Sequence, residues 1–162
     1  MTLHIRLLAT GALLLFAASA QARGFQGTVT HVTDGDSLWV RPASGGAPVE
    51  LRLQGIDAPE ICQAFGPRAR EALAALVLRR RVAVRTRARD TYQRTLARVS
   101  IGGQDVGAWM VERGYAWSYR FRGRGGAYEQ QQSRAREGRL GLWSDEHAIE
   151  PRRFRNSHGS CK

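Results

Sequence analysis

The chain is 162 residues long, 43% hydrophobic and 24% charged, which suits one globular domain and excludes a collagen-like, disordered or multi-span membrane protein. Its 25 Lys plus Arg exceed 14 Asp plus Glu for a formal charge of +11, and Lys162 is the sole lysine. An arginine-rich surface points to a polyanionic partner, because the guanidinium fork matches phosphate oxygens and never loses its charge; the same excess also reads as a solubilising surface.

Arg6, the apolar run 7–16 and the small residues 17–22 follow the order of a secretory signal peptide, with overlapping Ala-x-Ala sites ending at Ala20 and Ala22. A spanning helix needs about 20 apolar residues, so 1–22 is expected to be cleaved rather than to anchor the chain. The mature protein is then exported, periplasmic or secreted, without stable membrane association. Cys62 and Cys161 are an even pair, which an oxidising compartment permits to bridge, and they are too few and too far apart for a zinc site.

The segment 25–32, rich in β-branched residues, predicts a strand, and 37–40 a second before the Pro/Ser/Gly turn 42–48. Val49, Leu51 and Leu53 alternate with Glu50 and Arg52, a half-buried strand. The stretch 55–66, with Pro59 and no period, is a loop. Pro67 opens a helix carrying Ala69, Ala72, Leu73, Leu76 and Val77 on one face. Strand period returns at Val82, Val84 and Thr86, turns at 90–94, and resumes over 96–101. Val106, Trp109, Met110 and Arg113 suit a short helix stopped by Gly114; 115–118 is a short strand, and 128–137 a helix ended by Gly138. Five short strands with about three helices predict a mainly β chain, a five-stranded OB-fold barrel over 23–145, leaving 146–162 as a basic C-terminal tail.

Three segments carry chemistry. Asp34-Gly35-Asp36-Ser37 reads as a favoured hairpin turn or as one edge of a cation site, but lacks the later ligands of an EF-hand. Arg52 and the loop Asp57-Ala58-Pro59-Glu60 place two acids and an Arg at a strand end, either a surface ion pair or a site for a hard divalent cation held by Asp36, Asp57 and a backbone carbonyl. Asp90-Thr91-Tyr92-Gln93-Arg94 sets an Arg beside an aromatic in a turn, which is also ordinary text for a charged hairpin tip. All three lie at strand ends, where a barrel can gather loops on one rim.

Taken in order, Asp36, Arg52, Asp57-Ala58-Pro59-Glu60 and Tyr92-Gln93-Arg94 resemble the staphylococcal nuclease (thermonuclease) family, from about Phe25 to Trp143. The resemblance implies a calcium-dependent hydrolase of DNA and RNA. Asp36 and Asp57 would be the calcium carboxylates, and Ala58 would lend its carbonyl. Glu60 would be the general base, Arg52 and Arg94 would hold the scissile phosphate, and Tyr92 and Tyr119 would pack around the nucleotide. Ala58, Thr91 and Phe121 stand where the staphylococcal enzyme has Thr, Lys and Tyr, and the loop 61–65 is shorter. The outlying Arg79, Arg80, Arg81, Arg120, Arg122 and Arg124 are expected to raise affinity rather than to perform chemistry. The alternative is a non-catalytic OB-fold module that binds nucleic acid, which would not need the three acids and two arginines together. A monomer is expected. A Cys62–Cys161 disulfide is expected to pin the tail beside the loop that carries Glu60. His31, His147 and His158 show no ligand spacing and carry no assigned role.

Overall fold

Alternating burial builds the first half of the chain. In the computed structural model, which describes residues 24–90, 92–120 and 124–161, strand β1 (Gly24–Val32) turns Val29 and Val32 inward. It pairs antiparallel with β2 (Ser37–Pro42), which pairs antiparallel with β3 (Val49–Leu53), so that Ser37 lies opposite Arg52. On the other side of β1 lies β5 (Arg81–Arg89), itself antiparallel to β6 (Thr95–Ile101). A parallel pairing of β3 with β6, from Leu51 opposite Thr95 to Leu53 opposite Ala97, closes the ring. The result is the expected closed five-stranded barrel, with register shifts in β1 after Val29 and in β5 after Thr86 that bend the strands enough to close it. The expected signal peptide, Thr91, Phe121 and Arg122 lie outside the described residues.

Leu38, Val40, Leu51, Leu53, Val82, Val84, Ala97 and Val99 fill the interior. Helix α1 (Gly66–Val77) closes one end by burying Ala69, Leu73 and Val77, one turn apart. Each fully buried Leu or Val contributes about 1.5–3 kcal/mol relative to exposure, so this apolar set dominates the stability of the barrel. The short strand β4 (Ile56–Asp57) leaves the barrel to pair with β8 (Trp117–Ser118). Between them β7 (Gln104–Asp105) turns back to pair antiparallel with β6 and leads into α2 (Val106–Glu112), which Asp105 caps by accepting from the Ala108 N–H. Helix α3 (Glu129–Glu137) packs against α2. Among the described residues no helix is long and apolar enough to cross a membrane.

Within the expected basic tail 146–162, Pro151–His158 forms a helix, α4, the fourth among the described residues and in keeping with the expected count of about three. Pro151 sits in the first turn, where its missing N–H costs nothing, and is the one buried residue of the helix. No apolar stripe runs along α4; its anchor is covalent, the expected Cys62–Cys161 disulfide, whose Cα atoms lie 5.8 Å apart.

Candidate active site

Three backbone devices bring the acids together. Asp34 accepts the Asp36 N–H at 2.9 Å, an Asx turn that holds the β1–β2 connection, and the Leu53 N–H bonds the Asp36 carbonyl at 2.7 Å. Gly35 lets that turn approach α1: a Cβ there would lie 2.7 Å from the Ala58 Cβ and 2.8 Å from the Ala69 Cβ. The pairing of β4 with β8, Asp57 opposite Trp117, fixes the second acid. Beyond Pro59 the chain turns through Gln63 N–H to Glu60 O at 2.8 Å and Gly66 N–H to Gln63 O at 2.9 Å, directly into α1.

Arg52 lies at the centre. Its Nη1 donates to Asp36 Oδ1 and its Nη2 to Asp57 Oδ1 at 2.7 Å. Asp36 also accepts the Ser37 hydroxyl at 3.1 Å and the Ala58 N–H at 2.8 Å. Asp36 and Asp57 are each 2% exposed, so these are buried ion pairs rather than the surface pairs the sequence also permitted. Burial pushes the Asp36 carboxyl up to about 6, against the pull of Arg52 and with the help of Asp34. For Arg52 burial works against the charge, but Asp36 and Asp57 more than offset it and hold the guanidinium above its ordinary value.

Glu60 lies at the lip of the cluster, its side chain 20% exposed. Its partner is Arg155 of α4, a residue the sequence reading placed only in a basic tail. Arg155 Nη1 donates to Glu60 Oε1 at 2.8 Å and to Asp57 Oδ1 at 3.2 Å, while Nη2 donates to Asp57 Oδ2 at 2.9 Å. Buried Gln63 braces the same region: its Oε1 accepts the Glu60 N–H at 3.2 Å and its Nε2 donates to the Ile149 carbonyl at 2.6 Å. The available signal for both was the disulfide, which ties 161 to 62 and so draws the tail onto this loop.

The remaining site candidates make contacts of their own. Arg94 bonds Asp90 at 2.8 Å through Nε, and its guanidinium stands 5.3 Å from the Tyr92 ring centroid. Asp90 accepts the N–H groups of Tyr92 and Arg94 as well; burial acts to raise its carboxyl, but the bonds from Arg94 and Tyr92 win and hold it below the usual range. Tyr92 is 79% and Tyr119 40% exposed. Ala58 is buried and contributes its N–H to Asp36. Among the described residues no three His, Cys, Asp or Glu side chains are gathered as a metal centre. The chemistry of the donor set nevertheless suits a hard dication: Asp36 and Asp57 are buried carboxylates joined through Arg52, and the adjoining Ala58 carries a main-chain carbonyl, all hard oxygen donors.

The chain is similar to known proteins. A family model described as "Staphylococcal nuclease homologue" matches residues 50–145. Protein ParB of Escherichia coli is 43% identical over 93% of this chain and 90% of its own length. The micrococcal nuclease of Shigella flexneri is 39% identical over 94% and 92%, and an uncharacterized endonuclease of Haemophilus influenzae is 36% identical over 93% and 85%. The matched segment runs from β3 through the 3-10 turn at Gly141–Ser144 and includes Arg52, Asp57, Glu60 and Arg94. With the closed barrel and the buried Asp36–Arg52–Asp57 cluster, the match assigns the chain to the staphylococcal nuclease family.

Proposed function

We propose that this protein is an exported, calcium-dependent nuclease that hydrolyses phosphodiester bonds of DNA and RNA with little sequence preference and works as a monomer. The observation that carries the reading is Arg52 seated between two buried aspartates with Glu60 at the open edge. A nucleic-acid-binding module without catalysis would gain nothing from burying Asp36 at a cost that drives its carboxyl up to about 6.

Asp36, Asp57 and the Ala58 carbonyl would hold the cation, whose loose coordination by few protein ligands and several waters suits calcium better than magnesium. Calcium held there would supply positive charge where the phosphate gains negative charge and would make water more acidic. Everything else falls to the chain. Arg52 spends two N–H groups on Asp36 and Asp57, which fix the guanidinium plane, and turns the remainder toward the phosphate oxygens. Glu60 Oε accepts the proton of the attacking water; a positioned base typically contributes ~10²–10⁴-fold, so preorganised positive charge must supply most of the remaining acceleration. Arg94 approaches from the 90–94 hairpin, and the exposed rings of Tyr92 and Tyr119 stack on bases without reading their edges, which favours single-stranded substrate. The disulfide and the pattern in residues 6–22 support export.

Digestion of DNA and RNA by purified oxidised protein, with calcium and with a calcium chelator, tests the proposal. It predicts cleavage of both polymers in calcium and none in chelator; undiminished cleavage in chelator would overturn the metal assignment, and no cleavage under any condition the enzyme assignment.

A further inference from the structure

We propose that Arg155 is a built-in competitor for the calcium seat, held there by the Cys62–Cys161 tether, so that the cation must displace helix α4 from Asp57 and Glu60 before the site becomes active. The proposal rests on the metal reading given above and adds to it a residue that governs access to the seat.

The geometry is a guanidinium in the place of a cation. Arg155 bridges Asp57, through both carboxylate oxygens, and Glu60, with three bonds between 2.8 and 3.2 Å. Asp57 Oδ1 already accepts from Arg52 at 2.7 Å, so with Arg155 in place both lone pairs of that oxygen are committed. Its other oxygen faces Arg155 Nη2, and Glu60 Oε1 faces Nη1. A dication that takes Asp57 must therefore either remove one of these bonds or crowd onto the single lone pair left on Oδ2, and either way it stands beside a guanidinium of like sign, which it repels. Both ligands cannot be held at full strength.

The tether makes the competition effective. Only Gly159 and Ser160 separate the end of α4 from Cys161, and Cys62 lies two residues beyond Glu60. Bonded so, the helix cannot diffuse away, and Arg155 meets the carboxylates at the high local concentration of a short linker. Little else binds the helix. Pro151 is its single buried residue, five of the eight are exposed, and the Gln63 bond to Ile149 lies just before its start. A weakly packed segment with a strong polar contact at its centre can leave the site when a better partner arrives.

Calorimetric titration of calcium chloride into the full oxidised protein, its Arg155→Ala variant and its Cys62→Ser/Cys161→Ser variant tests this. If Arg155 is seated about 90% of the time or more, the apparent Kd of the parent exceeds the intrinsic value by about tenfold or more, since affinity scales with the open fraction. Arg155→Ala should bind calcium at least tenfold more tightly, the cysteine variant should fall between it and the parent, and hydrogen exchange in 151–158 of the parent should rise on adding calcium. The cysteine variant and the exchange readout stand independently should Arg155→Ala misfold. Equal affinity in all three proteins, with unchanged exchange, overturns the proposal while leaving the calcium site intact. Weaker binding by Arg155→Ala overturns it by making Arg155 a support of the site. Failure of every variant to bind calcium overturns it together with the metal reading on which it rests.

Discussion

Gly66→Ala is a one-atom substitution whose cost can be worked from the packing. A Cβ on Gly66 would lie 1.9 Å from the Glu60 carbonyl oxygen, 2.8 Å from its carbon and 3.1 Å from the Ile61 Cα, all backbone atoms with no rotamer to change. The loop must open by about 1 Å to reach even 3.0 Å, a distance real Cβ contacts rarely undercut. That movement strains two bonds of the turn, Gln63 N–H to Glu60 O at 2.8 Å and Gly66 N–H to Gln63 O at 2.9 Å. Two hydrogen bonds at about 1 kcal/mol each, with overpacking strain of about 1–3 kcal/mol, outweigh the 0.5–1 kcal/mol that Ala gains over Gly in a helix; the net loss is roughly 2–4 kcal/mol. Because the displaced atoms carry Glu60, activity should fall by about 10²-fold even in the folded fraction. Urea denaturation and hydrolysis of a single-stranded oligonucleotide read the two effects separately. A variant within 0.5 kcal/mol of the parent that cleaves at the parental rate would refute the packing argument.

Asp36→Asn removes a carboxyl that the native state holds at about 6 against 3.8 in the free residue. A raised folded pKa stabilises fully below about 3.8 and loses that contribution as pH climbs through 6, so ionised Asp36 is a burden at neutral pH. Without added metal the variant should gain roughly 1–3 kcal/mol on the parent between pH 4 and pH 8 in denaturation experiments; a pH-independent difference would contradict the burial account. Binding of single-stranded DNA should weaken linearly in log Kd against log salt, with about 0.7 per phosphate neutralised. Replacing Arg79, Arg80 and Arg81 by Gln should reduce that slope and leave turnover at saturating substrate unchanged, since Arg80 and Arg81 bond Leu76 and Gln26 rather than the carboxylates. Lost turnover would place the cluster in the chemistry. Arg52→Lys should lose far more rate than substrate affinity, because an ammonium cannot reach Asp36, Asp57 and a phosphate in one plane; equal rates would remove Arg52 from its assigned role.

The barrel was legible because its strands bury one face: Leu51 and Leu53 against Glu50 and Arg52 is a period-two text with one reading. The cluster was legible for a related reason. Arg52 ends a strand opposite Ser37, and its five-residue spacing to Asp57 spans a tight turn, so motif order already implied contact. Helix α4 escaped detection because it has no apolar period; a disulfide and three charged bonds hold it, and such partners lie about 95 residues away in sequence. Arg94 was legible as a residue but not as a contact: the hairpin that presents it pairs it with Asp90, four residues away, and local bonds of that kind leave no trace in periodicity.

The most direct test of the central claim is single-turnover cleavage of single-stranded DNA by Glu60→Gln at saturating calcium, with substrate binding measured in parallel. The account predicts a rate reduced by about 10²–10⁴-fold with Kd for the oligonucleotide changed by no more than a few fold, since Gln keeps the shape and loses only the proton acceptor. A rate within tenfold of the parent would contradict it and remove Glu60 from the chemistry.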